Sequence, residues 1–338
     1  MKSSKLFKTI PIIGYFFLLH KLQIYEFVFK KSPVIQRKFL TNGKIVRNLN
    51  NNFRNDFAFD SNGTWPYVSG ANLVFIADFV YDFRVKNAKQ VDQIRNGDII
   101  YVKIDLIGSF FQWVLPKIDK KIILITHNGD NEPKLKHIKH LNNENLIVWF
   151  GQNPTFYHPK FIALPIGLEN PYWNPSKTIF IRNLNLNTDI IPWKNRKYSI
   201  YLNFSPHTNQ AAREYLLTFY SQFKDALIIK ERVSYATYMN QIGNSKYVLC
   251  PRGNGLDTHR YYETILMGAI PIVENSTLYS IFKESTTLVL NSFKDLNQTM
   301  LDYPERFIPR TDFSRDVVMM DYWLKKISDF EMIYADFK

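Results

Sequence analysis

The chain has 338 residues, 46% hydrophobic and 16% aromatic, enough to pack one or two domains and too apolar for a disordered chain. Its formal net charge of +13 invites a nucleic-acid reading, but residues 1–50 hold ten Lys or Arg and one acid, Glu26, leaving only +4 for the other 288 residues. A basic groove on the folded body is therefore not expected, and the sequence has neither a zinc-ligand spacing nor an RNA-binding signature, so nucleic acid is not an expected partner.

Residues 1–45 read as a basic amphipathic leader. Its apolar run, 10–19, is too short to cross about 30 Å of hydrocarbon, and no small-residue cleavage site follows, since His20, Lys21 and Gln23 come next. Beyond Pro11, the residues Tyr15, Leu18, Leu19, Leu22, Tyr25 and Phe29 recur at helical spacing among lysines. Such a helix suits an anionic membrane surface, held through residues 1–31 by its apolar face and by roughly 1 kcal/mol per nearby lysine. The alternative is a helix packed on the body. One cysteine, Cys250, forms no internal disulfide and reads as a small core side chain. The expected location is cytoplasmic, peripheral on the inner face of a membrane.

Residues 46–190 read as a first α/β domain. Short apolar runs at 73–77, 99–104, 121–126, 146–150 and 161–164 predict buried strands of a mainly parallel sheet covered on both faces. In IADFVYDF, Asp78 and Asp82 stand four apart and are expected to share a helix face. From 175 to 197 the composition turns to Pro, Asn and charge, which predicts an irregular crossing between domains.

A second α/β domain, 191–315, follows. The pattern predicts strands at 198–204, 226–230, 247–250, 269–273 and 287–290, and helices at 209–223 and 235–242. Repeated strand, helix, strand order implies right-handed crossovers and a parallel sheet, with ligands beyond the carboxyl ends of its strands. The tail, 316–338, reads as an aromatic helix.

The stretch 247–273, YVLCPRGNGLDTHRYYETILMGAIPIV, organises this second domain. A buried strand runs into a glycine loop, a helix that Asp257 or Thr258 can cap, and a further strand after Gly268. The loop opens a helix whose first amides carry partial positive charge, and Arg252 and Arg260 flank it, so the arrangement suits a phosphate or diphosphate. Glu263, one turn beyond Arg260, lies within reach of a sugar hydroxyl. An ordinary ion pair between Arg260 and Glu263 on a solvated face is the plainer alternative.

CPRGNGLDTHRYYETILMGAIPIV resembles the signature of exostosin-like glycosyltransferases, glycosyltransferase family 47 with its bacterial and viral relatives. Two more segments, HPKFIALPIGLENPYW (158–173) and YSIYLNFSPHTNQAAR (198–213), resemble the same group. The resemblance implies an α/β fold of GT-B type, two Rossmann-like domains facing a cleft, with the tail crossing back onto the first. It further implies metal-independent, inverting transfer from a nucleotide sugar to a glycan or glycoconjugate acceptor, as in polysaccharide biosynthesis. Uridine diphosphate (UDP) is the expected nucleotide, and no further cofactor is expected. The resemblance also implies that Glu263 binds the ribose.

Without a metal, the departing diphosphate is stabilised by cations and amides. The candidate donor-binding residues are Arg252, Gly253, Asn254, Gly255, Thr258, Arg260, Glu263, Asn203, Ser205 and Arg213, with Lys230 as a further cation. The chain contains no Asp-x-Asp triplet for a metal-held nucleotide. A general base is expected from the first domain, where THNGDNEP sets Asp130 and His127 on one loop after a strand. Asp78, Asp82 and Glu169 are the remaining carboxylates considered. The other function class is a non-catalytic nucleotide-sugar or glycan-binding subunit of a membrane-bound glycan assembly complex, which would be expected to have lost Arg252, Arg260 or Glu263.

Overall fold

The computed structural model describes residues 64–82, 88–186, 190–308 and 313–335, all within one compact unit. The leader, 1–45, lies outside the described residues. Among those residues the strands form two five-stranded sheets, both wholly parallel.

The first sheet sets β1 (Phe79–Tyr81), β2 (Asp98–Lys103), β3 (Ile122–His127), β4 (Leu146–Gly151) and β5 (Phe161–Ala163) side by side in chain order. Parallel strands are covered on both faces, and every residue of β3 and β4 is buried. Trp149 anchors this core: its ring packs edge-on against Phe111 and Phe161, and Nε1 donates to Thr126 Oγ1 at 2.8 Å. Helices α1 (Gly70–Ile76) and α2 (Ile107–Trp113) flank the sheet, and α3 (Pro175–Asn183) follows it.

The second sheet holds β6 (Tyr198–Leu202), β7 (Leu227–Ile228), β8 (Ser245–Leu249), β9 (Ile270–Glu274) and β10 (Leu288–Leu290), in the order β10-β9-β8-β6-β7. Between and after them run α4 (Gln210–Phe219), α5 (Tyr235–Gly243), α6 (His259–Leu266), α7 (Tyr279–Phe282), α8 (Gln298–Asp302) and α9 (Met320–Ala335). The fold is therefore α/β, built on two Rossmann-like parallel sheets. Ahead of α9 the chain returns to the first sheet's side. Val68 N donates to Val318 O and Met320 N to Pro66 O, both at 2.8 Å, and Phe330 packs edge-on against Phe150 of β4.

Three local expectations are corrected. The run 73–77 is helical, not extended, because Ser69 caps α1 by accepting from Asn72 N and the distant Asn170 Oδ1 accepts from Ala71 N at 2.7 Å. Asp78 and Asp82 do not share a helix face; strand β1 lies between them, and Asp78 Oδ2 accepts from Ile99 N at 2.8 Å to seat that strand on β2. The crossing from 175 onward contains α3, started by Pro175 and capped by Asn174, whose Oδ1 accepts from Lys177 N.

Among the described residues no helix is long and apolar enough to cross a membrane.

Candidate active site

The order of the second sheet reverses between β6 and β8: the chain leaves β6 toward β7 on one side, then crosses to β8, β9 and β10 on the other. At such a switch point the two loops diverge and open a crevice at the carboxyl ends of the strands. The loops here are 203–209 and the glycine loop 250–258. The first sheet, running in chain order, has no such reversal among its described strands.

Arg213 of α4 braces the glycine loop from beneath. Its Nε donates to Arg252 O (3.0 Å), Nη2 to Pro251 O (3.1 Å) and Nη1 to Ser205 O (2.9 Å), so one guanidinium ties both crevice loops together. Burial lowers its pKa to about 10, which still leaves it charged at neutral pH. With these donors occupied by backbone carbonyls, Arg213 shapes the loop; Ser205 takes part through its carbonyl while its side chain is exposed. Gly253 N is also occupied, donating to Gly255 O at 3.2 Å, and Thr258 N donates to Asp257 Oδ1 at 2.8 Å. These two amides are therefore not open to an anion in this arrangement.

Arg260 differs. Its guanidinium lies between the rings of Phe204 (5.6 Å) and Tyr238 (5.1 Å), and its buried Nη1 has no hydrogen-bond partner. The amide Nδ2 of Asn203, on the other crevice loop, is likewise buried and without a partner. Buried donors in folded proteins are nearly always satisfied, so two orphans at one switch point mark a place for an acceptor. Burial pushes the pKa of neighbouring Tyr201 up to about 12, against the lowering by the Arg260 charge.

Glu263 is 4% exposed, and its two oxygens accept from Tyr235 Oη (3.0 Å) and Tyr238 Oη (2.8 Å). The tyrosines fix the carboxylate one turn from Arg260. Lys230 is exposed beyond β7, and Glu169 pairs with Lys177, which sits over the Tyr235 ring at 5.0 Å.

Across the cleft, the loop after β3 faces the glycine loop. Asn254 Nδ2 donates to Asp130 Oδ2 at 3.3 Å, and Arg252 Nη2 stands 3.4 Å from Glu132 Oε1. Asp130 is exposed to the cleft. His127 is not: it is 1% exposed, its Nε2 bonds Pro165 O at 3.0 Å, and burial lowers its pKa to about 4. That imidazole is held neutral and enclosed, a strut under the loop and not a base facing the acceptor.

Sequence reading missed the ties that set the cleft. Asp257 is buried, and its Oδ2 accepts from Ile166 N (2.8 Å) and Tyr262 Oη (2.7 Å); desolvation pushes its pKa up to about 6 against the lowering by these bonds. His259 Nδ1 bonds Gly167 O at 2.8 Å, and Asn153 Oδ1 accepts from Asp257 N at 2.9 Å. Gly167 has φ +68°, and a Cβ there would meet Val68 O at 2.2 Å, so only glycine fits. Gly167 was visible as a glycine in Pro165-Ile166-Gly167, but its partners lie about 90 residues on. Cys250 is buried on the floor of the site, and burial pushes its thiol up to about 12, so it is not a nucleophile.

Residues 228–301 match the family model of the RXYLT1 C-terminal domain, a span from β7 into α8 that contains the whole glycine-loop unit. No curated protein matches the chain in sequence. Among solved structures, one described as a GtfA/B complex aligns with 11% identity and a TM-score of 0.31, over 74% of this chain and 59% of that one. This chain thus spans less than two thirds of that relative's length. The stretch 228–301, which carries the glycine loop and the helix after it, is therefore similar to the RXYLT1 C-terminal domain.

Proposed function

We propose that this chain is an inverting, metal-independent glycosyltransferase that moves a sugar from a UDP-linked donor to a hydroxyl of a glycan or glycoconjugate. The observation that carries the reading is the pair of orphaned donors at the switch point, Arg260 Nη1 and Asn203 Nδ2, beside the exposed guanidinium of Arg252. Cations and an amide, set at the mouth of a crevice, are the groups suited to a diphosphate that gains charge as it leaves.

In this reading the acceptor oxygen attacks the anomeric carbon from the side opposite the diphosphate. The carbon–oxygen bond to the β-phosphate breaks, its electron pair stays on the phosphate oxygen, and the acceptor proton passes to Asp130. Asp130 suits that role by its place: it comes from the first sheet, is exposed to the cleft and sits within bonding reach of Asn254 on the glycine loop. Arg252 and Arg260 stabilise the departing charge, Asn203 adds a hydrogen bond, and Glu263, held by two tyrosines, faces the ribose. Among the described residues no three His, Cys, Asp or Glu side chains cluster as a metal site. From its sequence alone, the lysine-rich segment 1–31 is proposed to bind an anionic membrane, which would bring the enzyme near a membrane-bound acceptor at the cytoplasmic surface.

Thermal unfolding with a panel of nucleotides and nucleotide sugars tests the donor. A specific ligand at about 100 times its dissociation constant adds about 2.7 kcal/mol of stability. The shift is expected with UDP and UDP-sugars and is expected to survive EDTA, as is turnover. Loss of turnover on chelation would overturn the metal-independent reading, and absence of any UDP shift would overturn the donor.

A further inference from the structure

A cavity of about 220 Å³ adjoins the glycine loop on its β9 side; Arg260, Asn203 and Phe204 take no part in its lining. Its polar wall includes Arg252, Thr258, Glu274 and Asn275, and its apolar wall includes Phe282 and Phe293. It lies below the range of about 300–1,000 Å³ typical of sites for drug-sized ligands, so it suits one small ring and not a whole nucleotide.

Two groups on its wall suit it to a ligand that carries hydroxyls. Thr258 occupies the N-cap position of α6 with extended backbone, yet its hydroxyl makes no capping bond. A threonine there ordinarily accepts from the first turn, so this hydroxyl is available to a ligand. Glu274, at the end of β9, accepts from Phe293 N through Oε1 at 3.0 Å, which orients the carboxylate and leaves Oε2 as an acceptor. The Asp257 carboxylate also borders the cavity, but its oxygens are engaged by Ile166 N, Thr258 N and Tyr262 Oη. The cation of the lining, Arg252, is turned to Glu132 across the cleft.

We infer that this cavity receives the transferred sugar, that the sugar is a neutral monosaccharide, and that Glu274 determines this. The inference rests on the donor reading above. A sugar hydroxyl donates to Glu274 Oε2, whereas a uronic acid brings a third carboxylate against Glu274 and Asp257. Like charges brought together in a binding site discriminate by repulsion, even where every other contact is kept.

Calorimetric titration of the full chain with UDP, UDP-xylose, UDP-glucose and UDP-glucuronate, on the wild type and on Glu274→Gln, tests this. Glutamine keeps an oxygen for Phe293 N while removing the charge. The wild type is expected to bind at least one neutral nucleotide sugar about tenfold more tightly than UDP-glucuronate, a difference of about 1.4 kcal/mol. Glu274→Gln is expected to narrow that gap at least about threefold and to leave bare UDP within about twofold. On the wild type alone, the gap should also shrink as salt rises from 50 to 500 mM, a check independent of the variant's folding. Equal or tighter binding of UDP-glucuronate, or a gap untouched by both the variant and salt, would overturn the sugar assignment while UDP binding kept the donor reading. Binding of none of the four would remove the donor reading and this inference with it.

Discussion

Asp257 and Ile166, 91 positions apart, are joined by a 2.8 Å hydrogen bond from the Ile166 amide to the Asp257 carboxylate. The same carboxylate accepts from Thr258 N and Tyr262 Oη, so one side chain fixes the start of α6 and the strand-end segment of the first sheet together. The floor of the cleft is set by that bond.

Asp257→Ala leaves three donors without their acceptor, offset in part by relief of the buried charge. The expected net loss is about 2 kcal/mol, lowering Tm by about 5 °C for a domain of this size. Urea unfolding at pH 7.5 measures it; a midpoint equal to the wild type's would show that the tie carries no stability.

Arg260→Ala is expected to lower kcat/KM for the donor by at least about 100-fold with a loss of stability of about 1 kcal/mol, because Nη1 has no hydrogen bond to lose and only the ring contacts with Phe204 and Tyr238 go. Arg213→Ala is expected to act on both, weakening the donor and lowering stability by roughly 2 kcal/mol, since it strips three carbonyls of their donor. Steady-state kinetics beside melting curves separates the two arginines; the reverse pattern would exchange their roles.

Asp130→Asn retains an oxygen to accept from Asn254 and loses the basic carboxylate. Its expected signature is a fall in kcat of about 10²–10⁴ with donor affinity little altered. Unimpaired turnover would move the base elsewhere.

Stability should also depend on pH in a way set by three buried groups. His127 and His137 are lowered by burial from 6.5 to about 4, so between those values the unfolded chain binds more protons. Their contribution is complete above pH 6.5 and is lost as pH falls toward 4, roughly 3 kcal/mol for His127 and less for His137, whose surroundings include exposed lysines. Asp257 runs the other way: raised by desolvation from 3.8 to about 6, it favours the folded state most at low pH and loses that advantage as pH rises to 6. Removing it in Asp257→Asn should make the acid loss steeper. Urea midpoints at pH 7.5, 6.0 and 5.0 read the balance; a variant with a shallower acid loss than the wild type would contradict it.

The buried strands were legible because β2, β3, β4, β6, β8 and β9 each hold a run of at least three apolar residues, as strands covered on both faces do. The helix at 70–76 was not, since Leu73 to Ile76 carry the same apolar signal and, beside the Ser69 cap, its first turn is held by Asn170, 99 residues from Ala71. The glycine loop was visible from Pro251 to Arg260. What each guanidinium does there was not, because spacing cannot tell a bracing arginine such as Arg213 from one with an open donor such as Arg260. Glu132, His259 and Asn153 gave no local sign, as each acts on a residue about 90 or more positions away.

Cys250 gives the molecule a reporter of its own. The sole sulfhydryl of the chain is buried at the wall of the cavity beside the glycine loop, so a bulky thiol-modifying reagent should reach it slowly, and faster when the crevice opens or the sheet melts. Its rate of modification would then follow the breathing of this region, and a bound nucleotide sugar would be seen as slower labelling without any engineered tag.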